Sequence, residues 1–467
     1  MQRSHVKWLL GILLFLTCPT DLMAQERGET EQQKRAWIKK GSGTVVQSTR
    51  RAVPATVPDP FLIHAQKREY LESILYSRQA VSDWGMGNVV WGELYHPTLG
   101  WVHNDRTIHH GVNESYVTYR YDKDGARRVM AYAGQPCRIH TYGDSFTSCE
   151  QVNDGETWQE YLAVHLQEPI RNFGIGGYSV YQSYRRMLLQ EAKTPAQYIV
   201  FNIYYDDHYR NLTGWRNIRH GSTSKDRKEV ASPPLPYVKV NPSKNEFVEF
   251  ENPCPTPETV YRMSDIDWVF DQFKDDFTLK IVIAQRNLRS GTPEKSYAEI
   301  QALATEHGMT TTIDSPESLQ VAVDALFTGA GLYATMRIVE KVEAFAKEHR
   351  KKVLYVLSYG NKAFRSSERS GTRFDKSLID FMNAKKLPYV DLLQAHLQDF
   401  SERKLDIDQY VKRHWIGHYT PAGNFFAATN IKEPLVATLN PRPLSYNPTG
   451  KVTFESPWEG GKDKVGR

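Results

Sequence analysis

A serine on a tight turn, a glycine-rich loop and a distant histidine are the residues whose types and order suit chemistry in this chain. Ser145 lies in Tyr142-Gly143-Asp144-Ser145-Phe146-Thr147, after a short β-prone run at 138–142 and before a helix expected at 156–166. A turn that leaves a strand holds its side chains at the carboxyl edge of a sheet, where open α/β folds place their ligands. A serine hydroxyl is a weak nucleophile, so it needs a base within hydrogen-bond reach. Gly, Asp and Ser are also ordinary turn residues, and the tripeptide alone does not establish catalysis.

Two later stretches add weight. Asn172-Phe173-Gly174-Ile175-Gly176-Gly177-Tyr178-Ser179 follows a second short apolar run, and His418-Tyr419-Thr420-Pro421-Ala422-Gly423-Asn424 lies near the end of the chain. Serine first, glycine loop second and histidine last, with strands and helices between, resembles the SGNH (GDSL-type) hydrolase family. Tyr95-His96-Pro97-Thr98-Leu99-Gly100-Trp101 looks like the lead-in segment of many large secreted members, so the likeness spans roughly residues 95 to 430. It implies an α/β, three-layer flavodoxin-like fold with a mostly parallel sheet. It further implies Ser145 as nucleophile and His418 as base, the latter on a loop before a terminal helix at 424–430. The implied oxyanion donors are the amides of Ser145 and of Gly177, which ends Asn-x-Gly-x-x-Gly, plus an asparagine side chain from a third block. Gly174, Gly176 and Gly177 also suit a tight turn with positive φ, and the two roles are compatible.

The chain departs from the family pattern twice. The third block, Gly-x-Asn-Asp, is replaced by Tyr204-Tyr205-Asp206-Asp207-His208-Tyr209-Arg210-Asn211. Asp206 stands closest to the donor asparagine, but an ionised carboxylate accepts and cannot donate. It serves only if protonated; Tyr205, Arg210, Asn211, a water or another amide are the alternatives. The triad aspartate, usually two or three residues before the histidine, is replaced by Trp415 and Ile416. Asp406, Asp408, Asp206, Asp207 or a backbone carbonyl are left to orient the imidazole, and a Ser-His dyad is the minimal expectation.

Asp206, Asp207, His208, His414 and His418 also permit a metal reading, because His414 and His418 have the i, i+4 spacing of two ligands on one helical face. Gly417 between them argues against a helix there, and no metal or cofactor is expected. Arg365, Arg369, Arg373 and Lys376 follow a strand at 353–359 and suit an acidic substrate through forked guanidinium pairs, but charged runs are more often solvated surface.

The elements that must position these groups follow from hydrophobic patterning. Core strands are expected at 138–142, 198–204, 353–359 and 388–392, with helices at 333–349 and 376–385. Short apolar strands alternating with helices argue for a mostly parallel, helix-covered sheet. Residues 61–82 have helical spacing. Residues 213–262 break the rhythm: Tyr237 to Val240, a turn at 241–245 and Glu246 to Phe250 read as a β-hairpin insertion bounded by prolines. The expected organisation is a signal peptide at 1–24, a tether at 25–60, one domain at 61–440 and a flexible tail at 441–467.

The amino terminus carries Arg3, His5 and Lys7 before the apolar run Trp8 to Leu16, with Ala24 preceding Gln25, the pattern of a secretory signal peptide. Nine apolar residues are too few to span a bilayer, and Thr17 and Pro19 fit a lipid-attachment site at Cys18 poorly. Without that segment the formal charge falls from +5 to +4, a mild excess that gives no reason to expect nucleic-acid binding. Cys137, Cys149 and Cys254 then remain, an odd number that permits one disulfide of unreadable pairing. The expected protein is a secreted or periplasmic serine esterase without stable membrane insertion, acting on an ester-bearing small molecule or polysaccharide. A polysaccharide O-acyltransferase, like the alginate acetyltransferases of this fold, and a catalytically degenerate glycan-binding protein are the alternatives. The 26 tyrosines and 10 tryptophans suit a carbohydrate cleft or a core equally.

Overall fold

The structure, a computed structural model, describes residues 60–85, 93–221 and 233–446. The expected signal peptide, most of the tether and most of the tail lie outside them. Two antiparallel pairs come first: β1 (Glu93–His96) with β2 (Gly100–His103), and β3 (Arg106–His109) with β4 (Tyr116–Tyr119). A five-stranded sheet follows, built from β5 (Ile139–Tyr142), β6 (Arg171–Asn172), β7 (Tyr198–Tyr204), β10 (Lys352–Ser358) and β11 (Tyr389–Asp391). All its pairings are parallel, in the order β11-β10-β7-β5-β6. Counted along the sheet's own strands this is the order 2-1-3-4-5 of flavodoxin-like folds, whose ligands bind at the switch point between the first and third strands. β5 and β7 are that pair.

Strands covered on both faces read as continuous apolar runs. Tyr198-Ile199-Val200-Phe201-Asn202-Ile203 is buried throughout, as is Val353 to Ser358. Helices Trp158–Leu166, Leu392–Arg403 and Pro421–Thr438 pack together on one side, and Val180–Glu191, Pro316–Glu348 and Lys376–Ala384 on the other. The long helix begins at Pro316 rather than near Tyr333, because Ser315 caps it by accepting from the Ser318 amide and Pro316 takes the first helical position. A buried network ties the amino-terminal side of the sheet: Glu191 accepts from Tyr142 (2.7 Å) and Lys351 (2.8 Å) and lies 2.8 Å from His140 Nδ1.

The expected hairpin forms between β8 (Tyr237–Asn241) and β9 (Glu246–Phe250). The interruption of the sheet extends well past residue 262, however, through helices Ile266–Phe273, Phe277–Arg289 and Tyr297–Glu306. Several of these residues form a second apolar cluster with Trp215, Ile218 and the helices Pro60–Ser73 and Arg78–Gly85, into which the 61–82 pattern divides. Cys137, Cys149 and Cys254 are free thiols. No helix of the described residues is long and apolar enough to cross a membrane.

Candidate active site

Ser145 stands three residues beyond the end of β5, at the switch point. Asp144 caps the short helix Ser145–Ser148 by accepting from the Phe146 amide at 2.9 Å. Ser145 therefore occupies the first helical position, whose N–H has no intrahelical acceptor. Ser145 is not the exposed serine that a surface turn would present: it is 5% accessible. Beneath the turn, Arg210 Nη1 lies 3.5 Å from Asp144 Oδ2 and donates to Asp207 Oδ1 at 2.7 Å. Burial pushes both carboxyls up, and for Asp207 the neighbouring Asp144 adds to the effect.

The structure brings His418 to this serine across 273 positions: Nε2 lies 2.8 Å from Ser145 Oγ. The helix Ile407–His414 stops before the loop, so His414 and His418 do not share a helical face. Trp415 bridges to Tyr419 and donates from Nε1 to the Tyr359 carbonyl at 3.1 Å, while Thr420 caps the helix Pro421–Thr438. The loop is thus pinned on both sides of His418.

The group that orients the imidazole is Gln151, which sequence reasoning missed. Its Oε1 accepts from the His418 backbone N–H at 2.7 Å and lies 3.1 Å from His418 Nδ1. Its Nε2 donates to the His110 carbonyl at 3.1 Å, which settles the amide's direction. Facing an acceptor, Nδ1 must carry the proton, and Nε2 presents its lone pair to Ser145. Asp406 and Asp408 do not reach this site. Asp406 caps its own helix by accepting from the Asp408 and Gln409 amides, and Asp408 pairs with Arg365 at 2.6 Å on the surface.

Gln151 sits at φ +70° in a loop that needs external support. The buried Arg127 provides it, donating to the carbonyls of Ser148, Cys149 and Val152 at 2.5–2.7 Å and pairing with Asp154 at 3.0 Å. The Tyr119 hydroxyl, from β4, accepts from the Gln151 amide at 2.6 Å. The neighbouring Glu150 places Oε2 3.7 Å from His418 Nε2 and Oε1 3.8 Å from Arg106. Burial would raise the Glu150 carboxyl, but His418, Arg106, His110 and Arg216 hold it below its usual range. An anion therefore lies beside the imidazole although no carboxylate touches Nδ1.

Gly177 is the only one of the three loop glycines at positive φ, +79°. At Gly176 a side chain would take the space of the Glu150 carboxylate and displace it. Trp101, from β2, donates from Nε1 to the Gly176 carbonyl at 3.1 Å. In a trans peptide the C=O and the following N–H point in opposite directions, so this bond aims the Gly177 N–H away from the tryptophan. Among the described residues neither this amide nor that of Ser145 has an acceptor.

Asp206 is not the hydrogen-bond donor that the sequence resemblance implied. Arg219 donates to both its oxygens (2.9 and 2.5 Å) and Arg210 to Oδ2 at 3.0 Å. Burial would raise it, but the two guanidiniums hold it well below the carboxylate range, so it carries no proton to donate. Asn211 is committed to Tyr181 and Thr335, and His208 to Thr335. Arg365 and Arg369 lie on the helix Asn361–Ser370, and Arg373 is bound to Asp375, Asp391 and Tyr359. Among the described residues no three His, Cys, Asp or Glu side chains form a group able to hold a metal.

No family model matches the chain, and no curated protein matches it. Among solved structures it is similar to a provisionally assigned lipolytic protein of the G-D-S-L family from Desulfitobacterium hafniense DCB-2. That match has 10% identity and a TM-score of 0.29, covering 63% of this chain and 98% of the other. The chemistry of the site rests on its own geometry.

Proposed function

We propose that this protein is an exported serine esterase of SGNH type, acting on acyl or acetyl esters of a carbohydrate through an acyl-enzyme. The observation that carries the reading is the 2.8 Å contact between Ser145 Oγ and His418 Nε2, with Gln151 leaving Nε2 as the acceptor. In the proposed reaction Ser145 Oγ bonds to the acyl carbon as its proton passes to His418 Nε2. The carbonyl electron pair moves onto oxygen, held by the amides of Ser145 and Gly177. Collapse expels the alcohol, which takes the proton from His418, and water then releases the acid by the same steps in reverse order. A sugar hydroxyl in place of that water makes the enzyme an O-acyltransferase. The carbohydrate and the export follow from the sequence resemblance and the amino-terminal pattern.

Trapping with a fluorophosphonate tests the mechanism. The wild type should label at Ser145, and Ser145→Ala should lose both labelling and turnover while its melting temperature stays within a few degrees. Wild-type protein that does not label, or a variant that turns over normally, refutes the serine mechanism. Acetylated polysaccharides compared with short aryl esters then identify the substrate class.

A further inference from the structure

Arg216 is the odd cation of this site. Arg210 and Arg219 share the ionised Asp206, and Arg127 pairs with Asp154. Arg216 makes no ion pair or hydrogen bond among the described residues, and its Nε is buried without a partner. Burial, with Arg210 and Arg219 as like-charged neighbours, lowers its affinity for its proton to a pKa of about 10. Asp206 and Glu93 offset part of this, but among the described residues neither pairs with it directly, so its terminal donors remain open to an anion. Its position says which one. The terminal Nη1 lies beside Gly177, in the space a Cβ there would take, and the Trp101 ring borders the same space. Arg216 immediately precedes the short helix Asn217–His220, in the segment that follows β7.

We propose that the Arg216 guanidinium is a catalytic residue, the third oxyanion donor, replacing the asparagine that this chain lacks. The inference rests on the acyl-enzyme reading above. As the Ser145 Oγ–carbon bond forms and the proton moves to His418, the carbonyl electron pair becomes an oxyanion beside the Gly177 amide. Arg216 donates to that oxygen without gaining or losing a proton. Because the charge develops only during attack, the interaction speeds the chemical step and does little for substrate binding.

The experiment compares wild type, Arg216→Gln and Arg216→Lys on a small neutral ester, 4-nitrophenyl acetate, with fluorophosphonate labelling alongside. Removing one such donor costs about 100- to 1000-fold in kcat. Arg216→Gln should show a loss of that order with KM within about threefold, and Arg216→Lys an intermediate value, since it keeps charge but not the fork. Guanidinium ion added to Arg216→Ala should restore part of kcat, which a purely structural role would not allow. A wild type that labels at Ser145 together with an Arg216→Gln kcat within threefold of normal overturns the role of Arg216 and leaves the serine mechanism standing. Normal turnover of the neutral ester with a raised KM only for a carboxylate-bearing ester also overturns it, assigning Arg216 to a substrate anion. A wild type that does not label removes the reading on which the proposal depends.

Discussion

Replacing Gln151 by Leu tests whether a neutral amide does the work usually given to a carboxylate. Leucine keeps much of the volume but removes the oxygen that meets His418 N–H at 2.7 Å and Nδ1 at 3.1 Å. A neutral hydrogen bond contributes about 0.5–1.5 kcal/mol net, so losing two costs about 1–3 kcal/mol in holding the imidazole. At about 1.4 kcal/mol per tenfold this is a loss of roughly 5- to 150-fold in kcat. Loss of a charged triad acid costs about 10⁴-fold in the best-studied serine protease. The assay is steady-state kcat on one aryl ester, with thermal melting to show that the loop held by Arg127 and Tyr119 survives. A kcat within twofold of wild type would show that Gln151 does not orient His418. A loss of about 10⁴-fold or more would exceed what a neutral acceptor supplies and refute the reasoning equally.

Asp406→Asn and Asp408→Asn should each leave kcat within about twofold, since asparagine also caps helices and the Arg365–Asp408 pair is a surface one; a collapse in either would assign the acid there. Glu150→Gln should lower kcat by about tenfold, because a charge 3.7 Å from Nε2 stabilises the imidazolium formed during attack. A kcat within twofold of wild type would contradict the assignment. Burial would raise the Glu191 carboxyl, but hydrogen bonds from His140, Lys351 and Tyr142 bring it from 4.5 down to about 2. Its folded-state value is depressed, so its stabilisation of about 3 kcal/mol is complete above pH 4.5 and lost as the pH falls towards 2. Denaturant titrations of wild type and Glu191→Gln should therefore differ at pH 7 and converge at pH 2; an unchanged gap would reject the linkage.

The strands, the serine turn, the glycine loop and the late histidine were legible in the sequence because each is a local pattern. β7 is a continuous apolar run and Gly177 needs a left-handed backbone, while the terminal helix starts at Pro421 rather than at the expected 424. Sheet order and the Ser145–His418 contact were reached only through the order of motifs, since nothing local links residues 273 positions apart. The partners of those residues belong wholly to the tertiary structure. Gln151 carries no motif, and it reaches His418 because Arg127 ties its loop and the His110 carbonyl turns its amide. Asp206 resembled a donor by position, yet two arginines keep it ionised. Arg216 carried no signal in the sequence, and only the fold set it beside Gly177. Backbone conformation is set largely by neighbours in sequence, so the sequence alone determined most of the elements, although the long helix begins at Pro316 and the 61–82 pattern divides in two. Charge state, tautomer and hydrogen-bond direction depend on atoms a few ångströms away in space, and only the assembled structure decided those.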